Sequence, residues 1–329
     1  MASEKRMTIF VLTEENNPQL RLLDALPKSI RVVTGKTAAE ALPIADEISA
    51  VLAWSGSIGG AKGDIPQLLE LAPNLKWIHT RWAGMDSMLF PELIESPVIV
   101  TNAKGVFAES LAEFVIASIL FFAKDFPRMR RNQKNGVWEP FDVEVISGKT
   151  VGIFGFGEIG RACAAKCAAL GMNIIASRRN LEKAKNDQLV KKYYAPAQLK
   201  ELAAASDYLV VTAPLTPETK SVMNTEIFEA LPQHAVFINI GRGAVVDEKA
   251  LTSALQTKRI RGAALDVFIE EPLPKEHPFY GFENVLLSPH TADHTATWLD
   301  DTMNCFVENA IRFLNGEPLK NVVDKKLGY

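Results

Sequence analysis

Apolar positions along this chain follow two alternating patterns. Short runs rich in branched side chains read as strands: Thr8–Leu12, Arg31–Val33, Val51–Trp54, Trp77–Thr80 and Val98–Thr101. Stretches such as Pro66–Leu71 and Asp86–Ile94 lie between them and read as helices. Glu109–Lys124 breaks this rhythm, because Leu111, Phe114, Val115, Ile116, Ile119, Leu120, Phe121 and Phe122 make it nearly all apolar. A helix that is apolar on several sides is buried, in a core or between subunits. A polar stretch follows, and a second strand–helix series runs from Lys149 to about Pro289. The tail from Asp293 to Leu314 reads as one helix, with Asp293 placed to cap it or, as the alternative, to contact His290. Strands alternating with helices from end to end predict an α/β protein with two doubly wound parallel sheets.

The second series opens on a specific signal. Thr150–Phe154 reads as a buried strand, Gly155-Phe156-Gly157-Glu158-Ile159-Gly160 follows at once, and Arg161–Leu170 reads as an Ala-rich helix. This is the strand–turn–helix setting of a dinucleotide site. The first glycine permits the tight turn, the second lets the backbone approach a pyrophosphate, and the third lets helix and strand pack closely. Free N–H groups at the helix start then face the phosphate charge.

The next strand, Met172–Ala176, ends in Ser177-Arg178-Arg179. A site for NAD carries a carboxylate about 20 positions into the motif, where it accepts the ribose 2′-hydroxyl. Guanidinium groups there favour a 2′-phosphate instead. The expected cofactor is NADP(H) in preference to NAD(H).

Three later strands end in groups suited to chemistry. Val236–Asn239 leads to Arg242-Gly243, Ala264-Leu265 to Asp266 and the pair Glu270-Glu271, and Val285–Leu287 to Pro289-His290. All these polar groups leave the carboxyl ends of strands, where open α/β sheets place ligands.

Taken together, the motifs resemble those of the D-isomer-specific 2-hydroxyacid dehydrogenases, a family that includes glyoxylate/hydroxypyruvate reductases, D-lactate dehydrogenases and 3-phosphoglycerate dehydrogenases. The resemblance rests on Gly155–Gly160, Thr212–Thr219, Asn239–Asp247, Leu265–Pro272 and Pro289–Ala292, in that order. It implies that Arg242 binds the carboxylate and carbonyl of the substrate, that His290 is the acid/base, and that Glu271, directly before Pro272, orients His290. It also implies cofactor contacts from Ala213, Pro214, Thr219, Ile240, Gly241, Asp266 and Ala292. The loop Thr80–Asp86 resembles the family's substrate loop, with Ala83 and Gly84 offering backbone N–H groups to the substrate carboxylate. Trp54, Trp82 and Met85 are candidates for the pocket wall, with core packing the alternative.

Chemistry agrees with these roles. Reduction of a ketone by hydride leaves an oxyanion that needs a proton, which an imidazole can give. An arginine forks onto a 2-keto acid and opposes the developing charge.

The implied reaction reduces a small 2-keto acid, such as glyoxylate or hydroxypyruvate, to the D-2-hydroxyacid. A formate-type dehydrogenase and a nucleotide-sensing corepressor are the rivals on the same fold. The implied organisation is a flavodoxin-like substrate domain, residues 1–102 with 293–329, and a Rossmann nucleotide domain, residues 103–292. The active site is expected in a cleft that hinge closure seals.

Composition narrows the remaining classes. The 329-residue chain carries a net charge of −3, so nothing draws the whole molecule to nucleic acid or to an anionic membrane. The one basic run, Arg128–Arg131, reads as a solvated helix end. Three cysteines argue against a disulfide framework and for the cytoplasm. Cys163 and Cys167 lie four apart on one helical face and read as packing residues. His79, His234, His277 and His294 match no catalytic position, and no metal is expected. The apolar helix predicts a homodimer.

Overall fold

A computed structural model describes residues 6–55, 63–179 and 187–329. The chain divides into two compact units, the first reaching Phe107 and resuming at Thr295–Tyr329, the second Ala108–His294.

The first unit is built on a parallel sheet of β1 (Met7–Leu12), β2 (Ile30–Gly35), β3 (Ile48–Ala53), β4 (Trp77–Thr80) and β5 (Ile99–Asn102). Their spatial order is β2-β1-β3-β4-β5, the flavodoxin-like order. Both faces of β1 are buried, which is why it reads as a continuous apolar run. Phe10 and Leu12 pack with Ile65 and Leu68 of α1 (Asp64–Leu71). Ile9 and Val11, on the opposite face, pack with Met303 and Phe306 of the last helix. That helix stacks Phe306 and Phe313 on the Trp77 ring, with centroids 5.4 and 5.3 Å away.

Two expectations for this unit need correction. The helix expected over Asp86–Ile94 is only α2 (Pro91–Glu95). Pro91 lacks an N–H and sits at the first helical position, and Phe90 before it is extended, so the helix cannot start earlier. The last helix begins at Trp298, after Thr297, so Asp293 does not cap it. Asp293 is instead largely buried, and burial raises its carboxyl above the usual range.

The second unit opens with α3 (Ala108–Ala123) and α4 (Phe126–Lys134), followed by β6 (Thr150–Phe154), α5 (Glu158–Ala169) and β7 (Asn173–Ser177). Then come β8 (Lys192–Tyr194), α6 (Leu199–Ala204), β9 (Tyr208–Val211), α7 (Thr225–Ala230) and β10 (Val236–Asn239). It closes with α8 (Glu248–Gln256), β11 (Gly262–Leu265) and β12 (Val285–Leu287). The sheet order is β12-β11-β10-β9-β6-β7-β8, and every pairing is parallel. The order reverses between β6 and β9, which makes that point the crevice of a doubly wound fold.

The apolar helix α3 packs on α5, and Lys166 of α5 pairs with Glu109 and Glu113 of α3. Cys163 and Cys167 are buried and unpaired, as expected of packing residues. Burial pushes the Cys167 thiol up to about 12, which disfavours its thiolate form. The basic run lies on α4, which buries no residue, and Arg128 and Arg131 pair with Glu139 and Glu283. No helix among the described residues is long and apolar enough to cross a membrane. The last strand-to-helix connection of the unit carries His290. The tail after His294 belongs to the first unit and ends with α9 (Trp298–Asn315).

Candidate active site

The glycine turn between β6 and α5 is shaped by its sequence. Gly155 has φ +98° and lies so close to the next strand that a Cβ there would stand 2.5 Å from Ala213 N. Only glycine tolerates both conditions. A Cβ on Gly160 would stand 2.6 Å from the Gly155 carbonyl oxygen, so α5 can approach β6 only without one. Around Gly157 a Cβ would meet nothing within 4 Å. That open space lies at the N-terminus of a 12-residue helix with no side-chain cap, where free N–H groups suit a pyrophosphate.

Phe156 is buried edge-to-face on Tyr193, which pins the turn from behind. Glu158 and Ile159 form the first turn of α5. Across the crevice, Ala213 and Pro214 follow β9, and Thr219 closes their turn by donating to the Pro214 carbonyl at 2.7 Å. Ile240 and Gly241 follow β10, and the Asn239 side chain holds that turn by accepting from Gly241 N and donating to the Arg242 carbonyl, both at 3.1 Å.

At the end of β7, Ser177 is buried and its Oγ has no hydrogen-bond partner among the described residues. An unsatisfied buried hydroxyl costs roughly 1–3 kcal/mol unless a ligand supplies the partner. Arg178 is half-buried and Arg179 exposed, the latter 3.9 Å from Glu218. Glu182, the next carboxylate in the sequence, lies outside the described residues. An open helix start, a glycine cradle and an orphaned hydroxyl at the strand end together fit a nicotinamide dinucleotide.

Asp266, Glu271 and His290 form a hydrogen-bonded framework at the ends of β11 and β12. Asp266 is buried, and its Oδ1 accepts from Ser288 Oγ at 2.5 Å, Thr291 N at 3.0 Å and Ala292 N at 3.1 Å. It therefore holds both sides of the loop that carries His290. The Ala292 carbonyl accepts from Ser110 Oγ of α3 at 2.6 Å, which ties the loop from outside. His290 itself has φ +55°, an uncommon conformation for a residue with a side chain. Such backbone persists where its surroundings over-determine it, and it clusters at working sites.

Nδ1 of His290 lies 2.7 Å from Glu271 Oε2, while Glu271 Oε1 accepts from Phe268 N at 2.9 Å. The carboxylate is thus held on one oxygen and presents the other to the imidazole. Glu270 makes no such contact among the described residues. Arg242 is half-buried on extended backbone at the end of β10, and its Nη1 donates to its neighbour's carbonyl at Gly241.

The other histidines stand apart. His234 pairs with Asp207 at 2.6 Å. His277 caps a short turn through Phe279 N. His79 is fully buried, and burial pushes its pKa down to about 3, so it stays neutral. His294 Nε2 stands 3.7 Å from Asp293, beyond hydrogen-bonding distance.

The remaining candidates belong to the first unit. Trp54 follows β3 and is buried, and Trp82, Ala83 and Gly84 follow β4 and are half-exposed. The Ala83 carbonyl accepts from Asn102 Nδ2 at 2.7 Å and the Trp82 carbonyl from Ala103 N at 3.1 Å. Among the described residues, no group accepts from the amides of Ala83 and Gly84. Met85 is buried in the core, the alternative weighed for it. Sequence reading assigned no role to Ser288, Ser110 or Arg81, because a lone hydroxyl or cation has no periodic signature.

Comparison with known proteins agrees with this architecture. A family model described as D-isomer specific 2-hydroxyacid dehydrogenase, NAD binding domain, matches residues 116–292, more than half of the chain. The chain is 34% identical over 284 residues to glyoxylate/hydroxypyruvate reductase B of Pectobacterium carotovorum, covering 84% of this chain and 88% of that one. It is 35% identical over 278 residues to hydroxyphenylpyruvate reductase of Plectranthus scutellarioides, covering 84% and 85%. The crystal structure of a D-isomer specific 2-hydroxyacid dehydrogenase from Xanthobacter autotrophicus, in complex with NADPH and MES, matches at a TM-score of 0.82 and 30% identity, over 99% of this chain and 100% of that one. With its two parallel sheets and its nucleotide-binding domain, this chain belongs to the D-isomer-specific 2-hydroxyacid dehydrogenases, oxidoreductases that work with a nicotinamide cofactor.

Proposed function

We propose that this protein reduces a small 2-keto acid, such as glyoxylate or hydroxypyruvate, to the D-2-hydroxyacid with NADPH. The observation that carries this reading is the His290–Glu271 pair, held at 2.7 Å on a loop clamped by Asp266. The nicotinamide supplies the hydride when bound. Arg242 holds the carboxylate and the keto oxygen, and opposes the negative charge that grows on that oxygen. Nδ1 of His290 faces Glu271, so Nε2 is the nitrogen left to give the proton. One hydride reaches the carbonyl carbon and one proton reaches its oxygen, which completes the alcohol. The amides of Ala83 and Gly84 are proposed to bind the substrate carboxylate, with Trp54 and Trp82 as wall.

In this reading the first unit is the substrate domain and the second the nucleotide domain, with boundaries near residues 102 and 293. NADPH is supported by Ser177, Arg178 and Arg179, and by the NADPH bound to the Xanthobacter relative. The free cysteines suit a reducing cytoplasm. A steady-state panel of glyoxylate, hydroxypyruvate, pyruvate and phenylpyruvate, run with both nicotinamides, tests the reading. Turnover of at least one keto acid is expected, and nucleotide binding without any turnover would point to the corepressor-like alternative.

We further propose a homodimer. Phe114, Ile116, Leu120 and Phe121 of α3 remain partly exposed in the single chain. Trp138 is 97% exposed and Val145 71% exposed on the segment after α4. A single chain rarely leaves so many large apolar groups together in water. Sedimentation at micromolar concentration should give the dimer mass, and a monomer there would refute this assignment.

A further inference from the structure

Arg81 has an unusual setting within the first unit. It follows β4 directly and precedes Trp82, Ala83 and Gly84, and its own N–H donates to the Ala53 carbonyl. Its guanidinium carbon lies 4.6 Å from the ring centroid of Trp82, 5.5 Å from that of Trp54 and 5.7 Å from that of Trp298. Trp54 follows β3, Trp82 follows β4, and Trp298 opens α9. Three indoles therefore converge on one cation at the carboxyl end of the five-stranded sheet, the end where such sheets take ligands.

Indoles satisfy only part of what a guanidinium needs. Their faces attract the charge, but they accept no hydrogen bond in its plane. Arg81 Nε is buried without a partner, and no carboxylate among the described residues pairs with this side chain. Burial accordingly lowers the pKa of Arg81. A charge removed from water in this way is costly unless something pairs with it. Packing against three indoles restricts the side chain, so less freedom is lost when an anion pairs with it.

We propose that Arg81, held by Trp54, Trp82 and Trp298, is a specificity residue that takes a second anionic group, a carboxylate or a phosphate, on the far end of the 2-keto acid. The inference rests on the reductase reading above and on the placing of the substrate's own carboxylate at Ala83 and Gly84. Within the small 2-keto acids of that reading, it predicts a preference for members with an acidic arm over neutral ones such as glyoxylate and hydroxypyruvate. A neutral arm of the same length would leave the guanidinium unpaired.

Two matched pairs of substrates test this with the wild-type enzyme. One is 2-oxoglutarate against 2-oxopentanoate, and the other is 3-phosphohydroxypyruvate against hydroxypyruvate. In at least one pair, kcat/KM should favour the acidic member by about tenfold or more, the scale of one charge-assisted contact. The pair with the larger ratio identifies the group as carboxylate or phosphate. In R81M that ratio should fall toward unity, and in R81K it should fall part of the way, because charge is kept but the fork is lost. Should R81M not fold, the wild-type ratios and R81K decide the matter. Neutral members reduced as well as acidic ones in both pairs would overturn the role of Arg81 alone. An R81K ratio equal to wild type would also overturn it. Reduction of none of these four, nor of glyoxylate, pyruvate or phenylpyruvate, with either nicotinamide would refute the underlying reductase reading.

Discussion

Replacing His290 with asparagine is expected to slow keto-acid reduction by about 100-fold or more, the usual size of general acid catalysis, while nucleotide binding persists. Asparagine is the informative choice for two reasons. It cannot hold a proton for transfer, so the chemical step loses its donor. It also tolerates the left-handed backbone that His290 adopts at φ +55° better than other side-chain-bearing residues. An alanine there would add backbone strain to the chemical loss and blur the two. The clamp from Asp266 to the amides of Thr291 and Ala292 does not involve the imidazole, so the loop should keep its course in the variant. The measurement is kcat at saturating keto acid, beside a fluorescence titration of nucleotide. Turnover within a few-fold of wild type would remove His290 from the mechanism. Loss of nucleotide binding would mean that the residue serves the fold of the crevice instead.

Wild-type kcat/KM should favour NADPH over NADH by tens to hundreds of times, since charge-assisted contacts contribute about 1.5–3 kcal/mol each and 1.4 kcal/mol is tenfold. Ser177 contributes a buried hydroxyl that has no partner among the described residues. Of the two arginines, Arg178 is half-buried and Arg179 exposed. An exposed cation is screened and gains little from pairing, so neutralising Arg178 should cost more NADPH preference than neutralising Arg179. Converting Ser177 to Asp together with loss of both arginines should shift the preference toward NADH. The ratio is to be read with one keto acid at fixed ionic strength. A wild-type ratio at or below unity would defeat the NADPH assignment and leave the dehydrogenase family untouched.

The glycine turn was legible because its requirements are local. A φ of +98° at Gly155 and the contact of Gly160 with the Gly155 carbonyl both arise within one strand, turn and helix. The apolar runs that predicted the strands were legible for a similar reason, since Ile9 and Phe10 point to opposite faces of β1 and both faces are covered. The family's motifs placed Arg242, Glu271 and His290 at strand ends, because a parallel sheet gathers its loops at one edge. Local reading failed where a stop signal competed with periodicity. Pro91 set the start of α2 against an apolar pattern that continued through it.

Asp293 was misread as a cap because a polar residue near a helix start looks alike at several positions, and only the backbone at Thr297 fixes which one serves. The hydrogen bonds by which Asp266 clamps the His290 loop were also out of reach. Its three donors lie in a different strand-end loop, and hydrogen bonds between segments leave no trace in spacing. Arg81 is the strongest case. Its sequence neighbours supply one indole, while Trp54 and Trp298 come from the residue after β3 and from the last helix. Sequence alone therefore determined the layers, the glycine cradle and the order of the strand-end groups, all set by backbone geometry and by apolar periodicity over a few residues. Tertiary structure alone decided which groups are buried without partners and which cations are desolvated, because burial and pairing depend on segments that meet only when the chain folds.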